Sequence, residues 1–187
     1  MQPSQPETLT GAQIIVRLLE RQGITQLSGI PGGAILPLYD ALAQSHQIEH
    51  ILARHEQGAG FIAQGMARAS GETAVCLATS GPGAANLLTA IADAKLDSIP
   101  LVAITGQVST ALIGTDAFQE IDTISLAKPI TKRCFLVRSA QELLRVVPLA
   151  FELANSGRPG PVLIDVPKDI QLQKTTVAAW PEPGCPH

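Results

Sequence analysis

A doubly wound α/β fold, with helices on both faces of a mostly parallel sheet of about six strands, is predicted by three features of the sequence. Short apolar runs of β type alternate with helical runs along the chain. Two of the runs, residues 74–79 (AVCLAT) and 101–105 (LVAIT), are continuously apolar, as strands covered on both faces are. The loops with unusual residues, 29–33, 54–56, 79–83 and 106–120, all follow strand-like runs, where open parallel sheets bind their ligands.

Each element has its own signal. Thr10 and Gln13 make a T-x-x-Q capping box ahead of Ile14, Ile15, Leu18 and Leu19 at helical spacing, and Gly23 stops that helix. Residues 24–30 form a short apolar run ending in Pro31-Gly32-Gly33, and 35–43 read as the next helix. A short strand over 50–53 leads through Arg54-His55-Glu56 into a helix of small residues that reaches Ala69. The strand over 74–79 ends in the turn Ser80-Gly81-Pro82-Gly83, followed by a helix over 84–96 and the strand over 101–105. Residues 106–125 are irregular, and a loop of that length inside a domain usually serves function. A strand follows over 133–137, then a second capping box at Ser139 and Glu142. Leu143, Val147, Ala150, Phe151 and Ala154 mark one helix face, Gly157-Arg158-Pro159-Gly160 breaks it, and 162–166 is the last strand. The expected organisation is a flexible N-terminus over 1–9, one domain over 10–170, and a polar, Pro-bearing linker over 171–187.

Composition narrows the function classes. The 187 residues carry a net charge of −3, so there is no basic footprint for nucleic acid. No apolar run approaches the ~20 residues of a membrane span. The polar start MQPSQPETLTG lacks the pattern of a signal peptide, and the expected compartment is the cytoplasm. Cys76, Cys134 and Cys185 are irregularly spaced and read as reduced thiols. Charged residues make up only 16% of the chain, which suggests surfaces covered by something else or a compact, Ala-rich α/β domain.

Three places could carry chemistry. Ser80-Gly81-Pro82-Gly83-Ala84-Ala85-Asn86 follows a strand and opens a helix, the setting of a dinucleotide fingerprint. Asn86 stands where the third glycine belongs, and the next strand ends in Gly106-Gln107 without an acid for a ribose. A tight turn, or a backbone that approaches another flat ligand, fits better. Glu56 stands among Gly58, Ala59, Gly60, Ala63 and Gly65. It is either a first-turn carboxylate favoured by the helix dipole or a carboxyl group that shares a proton with a ligand nitrogen. Lys168 with Asp169 follows the last strand, as a solvated charge pair or part of a site. His46, His50 and His55 lack metal-ligand spacing.

Six segments together resemble the acetolactate synthase (acetohydroxyacid synthase) large subunits, a family of thiamine-diphosphate enzymes. They are GIPGGAILPLYDAL from Gly29, RHEQGAGFIAQGMAR from Arg54, ATSGPGAANL from Ala78, DSIPLVAITGQV from Asp97, IGTDAFQE from Ile113 and SGRPGPVLIDVPKDIQ from Ser156. The resemblance implies the thiamine-diphosphate-binding fold and the N-terminal, pyrimidine-binding domain. The family decarboxylates pyruvate and condenses the hydroxyethyl unit with a second 2-oxo acid. Glu56 matches the family's catalytic glutamate, which bonds a ring nitrogen of the cofactor's aminopyrimidine and promotes its imino tautomer. The resemblance further implies that Ile30, Pro82, Asn86 and Gln119 surround the pyrimidine. Gly33, Phe118 and Lys168 would line the substrate channel, and Arg158 would contact a non-redox FAD. Ile30 stands where many members have Tyr, and Ser109 where many have Pro.

The family holds Mg²⁺ and the diphosphate through a Gly-Asp-Gly…Asn motif in a later domain, and no Gly-Asp-Gly occurs in this sequence. The resemblance thus implies a homo-oligomer with active sites between subunits, a small regulatory subunit as a further partner, and a chain that is inactive alone.

Overall fold

In the computed structural model, which describes residues 6–184, six parallel strands form one sheet. In chain order the elements are β1 (Glu7–Thr10), α1 (Gly11–Arg21), β2 (Gln26–Gly29), α2 (Leu36–Leu42), β3 (Glu49–Leu52), α3 (Glu56–Ser70), β4 (Ala74–Ala78), α4 (Pro82–Leu96) and β5 (Leu101–Gln107). There follow α5 (Thr123–Ala127), β6 (Arg133–Leu136), α6 (Leu143–Asn155), β7 (Pro161–Pro167), α7 (Lys168–Leu172) and β8 (Lys174–Val177). The sheet order is β3-β2-β4-β5-β7-β6. Chain direction across the sheet reverses at β2, which has β3 on one side and β4 on the other, so the loops after β2 and β4 diverge and leave a crevice.

Alternation along the strands builds two cores. Val75, Leu77, Val102, Ile104, Val162 and Ile164 point to one face and pack with Ile14, Leu18, Leu38, Val147 and Phe151 of α1, α2 and α6. Ala74, Cys76, Ala78, Leu101, Ala103 and Leu163 point to the other, with Ala63, Ala67, Leu87, Ile91 and Ala94 of α3 and α4. The first face is lined with branched side chains and the second mostly with alanine. Burial pushes the Cys76 thiol up to about 12, which suits an inert core residue; Cys185 lies outside the described residues.

The capping box of α1 is present with both arms: the Gln13 N–H donates to the Thr10 hydroxyl, and the Thr10 N–H donates to Gln13 Oε1. The second box differs. Ser139 Oγ accepts the Glu142 N–H at 3.2 Å, but Glu142 Oε2 accepts the N–H of Arg138, one residue before the cap. It starts a 3-10 turn, and α6 begins at Leu143. The irregular stretch expected over 106–125 is shorter, because β5 runs through Gln107 and α5 begins at Thr123.

Within the described residues, parts of the expected N-terminal segment and of the expected linker form a two-stranded pair. Residues 7–10 pair antiparallel with residues 174–177, from Glu7↔Val177 to Thr10↔Lys174. Trp180 Nε1 donates to Glu7 Oε1 at 3.2 Å, and Arg21 donates to the Pro181 carbonyl. Four-residue, Thr-rich strands such as ETLT and KTTV have too little apolar periodicity to be read in advance. Likewise α7 follows Pro167, where the apolar pattern ends.

Near the carboxyl ends of β5 and β7 lies a buried polar group, Asp165. It accepts hydrogen bonds from the Thr105 hydroxyl at 2.7 Å and from Gln107 Nε2 at 3.0 Å. Burial pushes its carboxyl up to about 7, against the pull of those hydrogen bonds and one from Thr123. The folded chain therefore keeps this proton between the ordinary carboxyl value of 3.8 and about 7, where the unfolded chain has released it. The contribution of Asp165 to stability falls as pH rises through that span and levels off above it. Urea titrations of the wild-type chain and Asp165→Asn will show the wild type losing stability relative to the variant from about pH 5 to about pH 7. A gap that widens in favour of the wild type over that range would contradict this assignment.

Candidate functional site

Four loops meet at the carboxyl rim. After β2, Gly29 and Gly32 pass so close to their neighbours that a Cβ on Gly32 would lie 2.5 Å from Thr79 Cβ. Thr79 Oγ1 also accepts the Ala34 N–H at 3.2 Å, which staples this loop to the end of β4. Ile30 is half-buried and Gly33 is exposed with open space around its Cα.

After β3, His55 caps α3: its Nδ1 accepts the Gln57 N–H at 3.1 Å. This makes Glu56 the first residue of the helix and directs its half-buried carboxylate along the rim. Asn86 Nδ2 donates to Glu56 Oε2 at 2.9 Å. Glu56 Oε1 lies 3.4 Å from where a side chain on Gly83 would begin. A larger residue at 83 would crowd that oxygen and meet Thr79 Cγ2 at 2.7 Å.

The Glu56–Asn86 bond is held by the contact one turn below it. Gly60 and Ala90 follow Glu56 and Asn86 by four residues each, on the same helix faces. A Cβ on Gly60 would lie 2.5 Å from Ala90 Cβ. Another turn along α3, the buried Gln64 donates to the Ala90 carbonyl at 2.7 Å. Small residues thus let the helices approach until the carboxylate and the amide touch.

After β4, Gly81 adopts φ 56° and its Cα faces the backbone of Gln119, whose carbonyl oxygen would be 2.5 Å from a Cβ. Pro82 opens α4 and is exposed. The loop after β5 therefore crosses the Gly81 turn, with Gln119 half-buried and Phe118 88% exposed. Lys168 opens α7 at the end of β7, on the same rim. Its neighbour Asp169 accepts the Thr110 N–H at 3.0 Å, so its hydrogen-bond partner is a loop residue.

Of the residues singled out in the sequence, Ile30, Gly33, Glu56, Pro82, Asn86, Phe118, Gln119 and Lys168 lie in elements at this rim. Arg158 does not. It precedes β7 at the amino rim, where it donates to Ser98 Oγ at 2.7 Å and to the Leu96 carbonyl at 2.8 Å. With Lys95 and Lys132 it lines a pocket of about 440 Å³ that contains no carboxylate. Desolvation, and then repulsion from Lys95, lowers the Lys132 ammonium. Sequence reasoning missed His55 as a cap, Thr79 as a staple and the buried Asp165. Only the polar residue inside the apolar run VLIDV signalled the last.

The family described as thiamine pyrophosphate enzyme, N-terminal TPP binding domain, matches residues 9–126. The acetolactate synthase isozyme 1 large subunit of Escherichia coli is 66% identical over 178 residues, covering 95% of this chain and 32% of that protein. Isozyme 2 of the same organism is 58% identical over 172 residues, covering 92% of the chain and 31% of the relative. Acetolactate synthase 3, chloroplastic, of Brassica napus is 52% identical over 181 residues, covering 97% and 27%. The chain thus spans about a third of the length of these curated relatives.

Two glycines of α3 separate packing from helix propensity. Gly60→Ala gains about 0.5–1 kcal/mol of helix propensity but incurs about 1–3 kcal/mol of overpacking against Ala90. The overpacking wins, so chemical denaturation will show a net loss. Gly65→Ala has nothing within 4 Å and will gain about 0.5–1 kcal/mol. Equal effects at the two positions would refute the tight contact.

Proposed function

The chain belongs to the thiamine pyrophosphate enzymes, as their N-terminal TPP binding domain, and from this we propose that it holds the aminopyrimidine end of thiamine diphosphate in an acetolactate synthase. One observation carries the reading: a rim carboxylate, Glu56, anchored through Oε2 by Asn86, with Oε1 beside a residue that has no side chain. We read Oε1 as the oxygen left to a flat, nitrogen-bearing ring. The glycines at 33, 81 and 83 keep the surrounding loops thin.

When bound, the cofactor supplies the carbanion chemistry that cleaves a 2-oxo acid. The chain's own residues would do the rest at the ring. Asn86 donates to one Glu56 oxygen and so orients the other, which holds or returns a proton at the ring nitrogen. Ile30, Pro82 and Gln119 would flank the ring, and Gly33, Phe118 and Lys168 would border the path of pyruvate and of a second 2-oxo acid. Ile30 offers no hydroxyl, so the ring would meet an apolar side chain there.

The diphosphate and Mg²⁺ are assigned to the part of the relatives beyond the matched third. FAD is assigned mostly to a domain beyond the matched third, with Arg158 at the amino rim as this chain's contact. The cationic pocket of Lys95, Lys132 and Arg158 suits a diphosphate-bearing ligand. An oligomer is supported by the exposed apolar side chains Phe61 and Ile62 on α3, beside the site. A small regulatory subunit and a cytoplasmic compartment complete the proposal. Among the described residues, no helix is long and apolar enough to cross a membrane.

The test is a chimera in which this chain replaces the matched third of the Escherichia coli isozyme 1 large subunit. It should form acetolactate from pyruvate, and Glu56→Gln within it should slow turnover by about 10²–10⁴-fold, the range for one positioned acid–base group. The chain by itself should form none. A folded chimera without activity, or full activity in the Gln variant, would overturn the reading.

A further inference from the structure

Beyond the buried Val108 at its start, the loop over 108–122 has little apolar packing of its own. Phe118 is 88% exposed and Leu112 46%. Yet its backbone is strained: Gly114, Asp116 and Gln119 have φ of 80°, 56° and 58°, and two of the three are not glycine. A conformation of that kind persists only where surrounding contacts dictate it.

The contacts are polar pins. At the start of the loop, the Thr110 N–H donates to Asp169 Oδ1 at 3.0 Å and its hydroxyl donates to Oδ2. At the end, Gln107 Nε2 donates to the Ile121 carbonyl at 3.0 Å and to Asp165 Oδ2 at 3.0 Å. Gln107 Oε1 accepts the Val108 N–H at 2.8 Å. In the middle, the Glu120 carboxylate accepts the N–H groups of Gly114 and Asp116 at 3.2 and 3.0 Å.

We propose that Asp165 and Asp169, which flank Lys168 in one DVPKD segment, are positioning residues that hold the two ends of this loop, Asp165 acting through Gln107, and so fix Phe118 and Gln119 over the Gly81 turn. Asp165 is 1% exposed, and its carboxyl group decides how the Gln107 amide is turned. With the Asp165 carboxyl ionised, a flipped amide would set its oxygen against the oxygens of Asp165 and Ile121, and its NH₂ against the Val108 N–H. All three contacts would then be like against like, an expensive arrangement in a buried place. Asp169 needs no relay, because it reaches Thr110 directly. The strand end and the helix start of one short segment thereby set the spacing of the loop's feet. The proposal concerns this chain's own loop and does not depend on which ligand the rim takes.

Amide hydrogen exchange by NMR on the full 187-residue chain tests it. Gln107→Met, which removes three hydrogen bonds, and Asp169→Ala, which removes two, should each accelerate exchange at Gly114, Asp116 and Glu120 by at least about fivefold to tenfold, the effect of a single hydrogen bond. Amides of Val75 and Leu77 in β4 should keep their rates, which a general loss of stability would not allow. In the unsubstituted chain, the side-chain NH₂ protons of Gln107 should exchange slowly, because both are engaged. That measurement decides the matter if Gln107→Met does not fold. Unchanged loop rates in either variant, equal acceleration in β4, or a freely exchanging Gln107 side chain would overturn the proposal.

Discussion

The close approach of α3 and α4 is the constraint on which the site depends. Both helices start at the carboxyl rim, after β3 and β4. Their first turns can meet only if nothing bulky stands between them one turn further on, and there Gly60 faces Ala90. The result is a carboxylate hydrogen-bonded across the gap by a neutral amide, with one oxygen left beside Gly83. The Asn86 amide fixes the direction of the carboxylate through one oxygen.

The same constraint explains the unequal faces of the sheet. Branched side chains on the face of α1, α2 and α6 make a thick, interlocked core. Alanines on the other face bring α3 and α4 near the strands and near each other. The larger core thus lies on one side of the sheet and the site geometry on the other. The low charge of the chain follows in part, since strands β4, β5 and β7 are buried along their whole length.

The rim loops are held by a different kind of force. Where glycine lets backbones touch, as at Gly32 against Thr79 and Gly81 against Gln119, steric fit positions the chain. Where a side chain has to stand out in solvent, as Phe118 does, hydrogen bonds to the backbone take over. Polar pins suit such a loop because they fix direction without covering the exposed side chain.

Local signals in the sequence were enough for the strand–helix alternation, the parallel sheet, the α1 cap and the gathering of Glu56, Asn86 and Gln119 at one rim. Apolar periodicity, glycine turns and capping residues act over a few positions, and a short window of sequence carries them. The chain order of the strands was also legible, but their spatial order was not. Nor was the pairing of residues 7–10 with 174–177, the staple from Thr79 to the Ala34 amide, or the tie from Asp165 through Gln107 to Ile121. Each of these joins residues far apart in sequence or depends on which way a side chain turns inside the fold. Only packing the whole chain decides it, because a buried donor takes whatever acceptor the folded neighbours bring within reach.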